Sequence, residues 1–209
     1  MALAMTRSKP LALLLDNYGF AMLVYAVGSA LACWILWRLL LQRGLHFSDL
    51  QFPGTLSRKA LAQILVASIL APMVFGLIEA TGIPMFWQET DSSPVEYSQA
   101  TAPTLVMVVM ATCCIVPVTE ELLFRGYLFS SLRQRMPVVA AALVSSLVFA
   151  ALHLPFFGPG LALYIIPWGL AACYLYTRFS SLSAPILFHL LNNLVAYVVA
   201  PILFSGKTP

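Results

Sequence analysis

Six long runs of apolar residues divide this 209-residue chain, and ionisable side chains are almost absent from them. Because a helix that crosses the hydrocarbon core needs about 20 apolar residues, runs of this length are typical of membrane helices. Charged residues make up 9% of the chain, against about 25% in an average soluble domain. We therefore predict an all-α, polytopic membrane bundle of about six transmembrane helices that forms a single membrane domain, residues 1–209. The predicted spans are 18–41, 60–83, 102–119, 137–157, 160–179 and 182–204.

The charges between the runs predict an orientation in the membrane. The link at 42–59 holds three basic residues, whereas the link at 84–101 holds three acidic residues and no basic one. Since short cytoplasmic loops are enriched in Lys and Arg, the first link is expected in the cytoplasm and the second outside. The same rule places the basic segment 120–136 and Arg178 in the cytoplasm and both termini outside. No basic patch of the kind that binds nucleic acid is present, so the expected surroundings are the lipid bilayer.

Two residue types in the spans have structural interpretations. The four cysteines lie in apolar runs without a paired spacing, which predicts free thiols rather than a disulfide framework or a zinc ribbon. The tryptophans lie mostly near predicted span ends, which favours an aromatic belt at the membrane surface. These tryptophans are Trp34, Trp37, Trp87 and Trp168.

The strongest local signal is a charged motif that follows directly on the third apolar run. It contains Glu120, Glu121 and Arg125. At about 100° per helical residue, Glu121 and Arg125 share one face, while Glu120 points about 140° away from Arg125. An ion pair between Glu121 and Arg125 leaves Glu120 as the candidate general base. The alternative is a cytoplasmic helix start in which charges complement the helix dipole without any activity.

Two of the three histidines lie inside predicted spans, where ionisable groups are costly and usually functional. His153 follows Phe149 by four residues, so the two rings share a helix face. His189 precedes Asn193 by four residues in the last span, and both side chains can donate hydrogen bonds. The structural alternatives are a histidine bonded to a neighbouring carbonyl and polar contacts that tie helices together.

Together the three motifs match what the hydrolysis of an amide requires. A carboxylate can act as the base for water, donors can stabilise the developing oxyanion, and a cavity between helices can shield the reaction. Their order along the chain is E-E-x-x-x-R, then F-x-x-x-H, then H-x-x-x-N, each on an apolar helix. This pattern, in residues 117–196, resembles the CPBP family of CAAX-protease and bacteriocin-processing membrane endopeptidases, also called the Abi family. The first motif, E-E-L-L-F-R-G-Y-L from Glu120, closely resembles the form that this motif takes in the family.

The resemblance implies a glutamate-dependent intramembrane protease whose catalytic core is residues 117–196. In that family pattern Glu120 and His153 activate the water that attacks the scissile carbonyl. His189 and Asn193 form the oxyanion hole. Glu121 and Arg125 hold the first glutamate in place.

Several alternatives stay open at this stage. Some members of the family have been described as metalloproteases, and Glu120, His153 and His189 are a possible zinc ligand set, although His-Glu-x-x-His is absent. We favour the mechanism without a metal or other cofactor, because it uses Asn193 as well. A non-catalytic bacteriocin-immunity or binding protein and a small proton-coupled transporter are further alternatives.

The expected substrate is a membrane-associated protein or peptide. The chain is shorter than the eukaryotic Ras-converting endopeptidases and closer in size to compact bacterial relatives, which argues against a prenylated substrate. The expected location is the bacterial inner membrane, with the site toward the cytoplasm. The sequence leaves the oligomeric state, the substrate's identity and the cleavage position open.

Overall fold

The computed structural model describes residues 18–42, 44, 56–80 and 102–200. Within these ranges the chain forms six helical runs and no strand, as predicted for an all-α membrane bundle. Four of the runs, α1, α2, α3 and α5, are long and apolar enough to cross a membrane, and the other two are shorter apolar helices. The runs are α1 (Tyr18–Gln42), α2 (Arg58–Ala80), α3 (102–133), α4 (Val138–Leu154), α5 (Gly158–Phe179) and α6 (Ser183–Val199).

The third predicted span ends too early. The sequence analysis ended it at residue 119, but α3 continues through the charged motif to Arg133. At about 1.5 Å per residue this helix is roughly 45 Å long, against about 30 Å of hydrocarbon. Arg125 is buried inside the bundle instead of lying in a cytoplasmic link. The helix can continue because Glu121 and Arg125 neutralise each other one turn apart.

Two stretches of α3 are wound as π-helix, Met110–Ile115 and Leu122–Phe129. The first precedes Pro117, which has no N–H and whose ring clashes with the carbonyl four residues earlier in a regular α-helix. In the π-helical turn the Val116 N–H bonds to the carbonyl of Ala111, five residues back. The widened turn accommodates the proline, and short π-helical turns of this kind are frequent at functional sites.

The break between α4 and α5 lies at Gly158, close to where the sequence predicted it. Its φ of 74° and ψ of 175° are not helical, and they occur in a region that L side chains rarely adopt. The glycine therefore allows the chain to leave α4 and begin α5 without a long loop.

The core lies between α3, α4, α5 and α6, and α1 and α2 pack around it. Helix α1 contacts α3, while α2 contacts α5 and α6. Aromatic side chains dominate the largest core cluster, including Phe124, Phe149, Trp168 and Phe188. The six helices thus enclose a common interior that brings the three motifs together.

Other predictions have mixed outcomes. All four cysteines are free, as expected, and Cys113 and Cys173 are buried. The acidic link at 84–101, Arg43, Trp87 and both chain termini lie outside the described residues.

Candidate active site

One cavity of about 350 Å³ lies between the helices, and all six helices contribute to its lining. Four of the six predicted site residues line it, one each from α3 and α4 and two from α6. The remaining two, Glu121 and Arg125, are fully buried beside it. The four lining residues are Glu120, His153, His189 and Asn193.

The predicted ion pair forms between Glu121 and Arg125. Arg125 Nη1 donates to Glu121 Oε1 at 2.9 Å, and both side chains have 0% of their surface exposed. His189 Nδ1 lies 2.9 Å from the same carboxylate oxygen. Because the carboxylate accepts, Nδ1 carries the proton in this contact. The pair therefore contacts His189, whereas the family resemblance had suggested that it holds Glu120.

Arg125 is enclosed by aromatic rings and a backbone carbonyl. Its guanidinium carbon lies 4.9 Å from the centroid of Phe149 and 5.4 Å from that of Trp168. Its Nη2 donates to the carbonyl oxygen of Gly169 at 3.2 Å. A cation held by a carboxylate, a carbonyl and two ring faces compensates much of the cost of its burial.

Glu120 lies at the edge of the cavity, with 14% of its side chain exposed. Its Oε1 accepts a hydrogen bond from the Tyr25 hydroxyl of α1 at 2.9 Å. Its Oε2 faces His189 Nε2 at 3.8 Å, which is beyond a direct hydrogen bond. The two neighbouring glutamates therefore have different surroundings: Glu121 is paired with an arginine, and Glu120 faces the cavity.

His153 has its proton position set by its own helix. Its Nδ1 lies 2.8 Å from the carbonyl oxygen of Phe149, one turn earlier. Since a carbonyl only accepts, Nδ1 donates, and the lone pair of the neutral ring is on Nε2. The Phe149 ring lies 4.5 Å from the imidazole, as the shared helix face predicted.

Asn193 ties α6 to the π-helical part of α3. Its Nδ2 donates to the carbonyl oxygen of Thr112 at 2.7 Å. That carbonyl lacks a helical partner, because the Val116 N–H bonds to Ala111 and the residue five positions on is Pro117. The amide therefore satisfies an acceptor that the widened turn exposes, and it still has a second N–H at the cavity wall.

Most residues that line this cavity lie in a segment that matches a known protein family. Residues 100–195, a little under half of the chain, match the family model described as type II CAAX prenyl endopeptidase Rce1-like. This segment is similar to the CAAX proteases. No curated protein and no solved structure matches the chain.

The CAAX-protease-like segment contains the three motifs but not the whole lining of the cavity. Tyr25 of α1 and Pro72 and Phe75 of α2 also line it, and they lie outside residues 100–195. The sequence analysis did not single out Tyr25, since a tyrosine on an apolar helix is a common interface residue.

The prediction that Trp168 lies in an aromatic belt is wrong. It is 7% exposed, and its ring lies 4.6 Å from that of His189 at the cavity. Trp34 and Trp37 are exposed on α1, as a belt requires. Position in the helix separates the two cases, because Trp168 lies at the middle of α5, whereas Trp34 and Trp37 lie in the last third of α1.

The zinc alternative needs Glu120, His153 and His189 grouped around one point. Among residues 18–42, 56–80 and 102–200, no three His, Cys, Asp or Glu side chains are grouped as metal ligands. We therefore derive no catalytic step through a metal.

Proposed function

We propose that this protein is an intramembrane endopeptidase that hydrolyses a peptide bond of a membrane-associated protein or peptide, with Glu120 as the general base. The observation that carries the proposal is that Glu120, His153, His189 and Asn193 line one cavity within an apolar bundle. The similarity of residues 100–195 to the CAAX proteases supports a peptidase. A membrane-embedded cavity needs polar groups where water and a peptide carbonyl meet, and these side chains provide them.

In the proposed reaction Glu120 Oε2 accepts a proton from a water molecule, whose oxygen attacks the scissile carbonyl carbon. His153 holds the same water through Nε2. The new C–O bond converts the carbonyl oxygen into an oxyanion. Glu120 then gives its proton to the leaving nitrogen as the C–N bond breaks, which yields a carboxylic acid and an amine.

The oxyanion has two proposed donors on α6, His189 Nε2 and the second N–H of Asn193. His189 already donates from Nδ1 to Glu121, so donation from Nε2 requires the doubly protonated imidazolium. In that form two cations match the two carboxylates, so the site carries no net charge. The contacts of Glu121 and Arg125 give them a positioning role that acts through His189.

The proposed location is the bacterial inner membrane, with the basic helix ends in the cytoplasm. Basic residues lie at the end of α1, the start of α2 and the end of α5, where the positive-inside rule places cytoplasmic loops.

The test compares wild type with Glu120→Gln in detergent micelles. The substrates are an internally quenched CAAX peptide with a farnesylated cysteine and the same peptide without the lipid. Replacing the base by an amide of the same shape is expected to lower hydrolysis by about 10²–10⁴-fold. Tyr174→Phe, on an exposed side chain of α5 outside this cavity, is expected to retain wild-type activity.

The outcomes separate the alternatives. Equal hydrolysis by Glu120→Gln and wild type contradicts the proposed base, and cleavage of the farnesylated peptide alone assigns a lipidated substrate. Activity that a chelator removes and zinc restores supports the metal-dependent alternative. An unchanged cellular phenotype in Glu120→Gln, with no cleavage of membrane precursors by either form, supports a binding or immunity protein.

A further inference from the structure

The hydrogen bond between Tyr25 and Glu120 joins α1, which has no family motif, to the candidate base. The Tyr25 hydroxyl donates to Glu120 Oε1 at 2.9 Å, across 95 residues of sequence. Tyr25 also lines the cavity. It lies far from residues 100–195, so the family match assigns it no role.

The apolar surface of the Tyr25 ring does not by itself explain why this position holds a tyrosine. The residue is 42% exposed on a helix whose other exposed side chains include Val24 and Val27. A phenylalanine ring would cover the same apolar surface, whereas the hydroxyl adds one directed contact with the carboxylate. The hydroxyl is therefore the part of this side chain that needs an explanation.

The contact determines which carboxylate oxygen faces the reaction. The terminal torsion of a glutamate is broad and roughly two-fold, so the two oxygens exchange easily when neither is held. Tyr25 occupies Oε1, which leaves Oε2 on the side of His189 Nε2, 3.8 Å away. We propose that Tyr25 is a positioning residue that anchors the Glu120 carboxylate with Oε2 toward the reacting water.

A second polar contact fixes α1 against α3 near the same place. Cys33 Sγ donates to Thr119 Oγ1 at 3.5 Å, next to Glu120 in sequence. Cys33 lies eight residues after Tyr25, about 12 Å along the helix. Two contacts at this spacing fix the position of α1 along α3. The Tyr25 hydroxyl therefore stays within hydrogen-bond distance of the Glu120 carboxylate. The catalytic consequence of this anchoring rests on the proposed function, whereas the contact between Tyr25 and Glu120 does not.

The first measurement needs no substrate. The apolar reagent dicyclohexylcarbodiimide is attacked by carboxyl oxygens, and mass spectrometry of the labelled protein reports each glutamate separately. In Tyr25→Phe, the loss of the donor on Oε1 is expected to raise the labelling rate of Glu120 at least about threefold. Glu121, which is buried in its ion pair, serves as an internal reference. Tyr174→Phe is the matched control, because Tyr174 is exposed on α5 outside the cavity.

The second measurement is hydrolysis of the two quenched peptides. Misplacing the base lowers kcat without weakening binding, so Tyr25→Phe is expected to lose about 10–100-fold in kcat with an unchanged KM. In Glu120→Asp the shorter side chain no longer reaches the hydroxyl, so adding Tyr25→Phe should cost less than about threefold more. Tyr174→Phe should match wild type in both parameters.

The results separate this inference from the proposed function. Unchanged labelling of Glu120 in Tyr25→Phe overturns the anchoring, and faster labelling with an unchanged kcat overturns its catalytic consequence. A full additional loss in the Glu120→Asp background shows that Tyr25 acts elsewhere. Faster labelling in a protein that cleaves neither peptide overturns the protease assignment and leaves the anchoring of Glu120 supported.

Discussion

The two N-terminal helices and the four that follow differ in how much of their apolar surface is buried inside the bundle. In α1 and α2, 17% and 22% of the most apolar stretch is buried, against 50% in α3 and 44% in α5. The outer pair thus presents most of its surface to lipid, and the inner helices pack against one another. Because lipid accepts almost any apolar side chain, the outer pair is less constrained by packing than the inner helices are.

The candidate site groups follow the same division. Glu120, Glu121 and Arg125 lie on α3, and the two histidines of the site lie on α4 and α6. The outer helices contribute walls to the cavity and one hydroxyl, that of Tyr25. The candidate catalytic groups thus lie on the inner helices, and the outer helices complete the lining of the cavity through a few contacts.

The largest expected effect concerns the buried charge of the inner helices. Arg125→Leu removes the arginine partner of the buried Glu121 carboxylate and leaves His189 as its one described partner, which is expected to lower the free energy of unfolding by about 3–5 kcal/mol. Arg38→Leu on α1 removes an exposed arginine whose only described partner is the Trp34 ring at 5.9 Å, and it should cost less than about 1 kcal/mol. Reversible unfolding in mixed micelles measures both, and equal losses would contradict the division between the two regions.

A double substitution separates the stability of the ion pair from its role in the site. Replacing both Glu121 and Arg125 by leucine removes the buried carboxylate as well and should recover most of the lost stability. Hydrolysis should stay low, because His189 Nδ1 loses its carboxylate partner. Full activity in this stable variant would show that the pair does not position His189.

A smaller effect is expected at the closest approach of two inner helices. A Cβ added at Gly169 would lie 2.8 Å from Ser146 Oγ and 2.9 Å from Ser146 Cβ. Gly169→Ala should therefore cost about 1–3 kcal/mol through overpacking of α4 against α5. Ser146→Gly removes both close atoms, so the double variant should lose less than the sum of the single changes. If the losses of stability in the two single variants add, the strain in Gly169→Ala does not come from contact with Ser146.

Much of this fold could be predicted from the apolar runs alone. The lengths of the runs indicated six helices, and the glycine-containing break between the fourth and fifth spans lies at Gly158. The end of the third helix could not be found in this way, since hydropathy treats Glu121 and Arg125 as two charges. In the structure they form one neutral pair on a helix face.

The site was predictable where its contacts lie within one helix. The spacing of four residues indicated the pair of Glu121 with Arg125 and the ring contact of Phe149 with His153. The contact of Tyr25 with Glu120 joins distant helices, and no local pattern indicates it. The Asn193 bond to Thr112 depends on a π-helical turn, which the α-helical spacing used for the sequence does not contain.

The smallest expected effect is the same glycine substitution made on the outer helices. A Cβ added at Gly28 of α1 or Gly76 of α2 meets no atom within 4 Å. Alanine restricts the unfolded backbone more than glycine does, so each variant should be unchanged or more stable by up to about 1 kcal/mol, in contrast to Gly169→Ala. Unfolding in mixed micelles, with Gly169→Ala in the same series, measures the difference. A loss above about 1 kcal/mol at Gly28 or Gly76 would mean that a face open in the single chain is covered in the membrane, and the outer pair would then be a packed surface rather than a lipid-facing one.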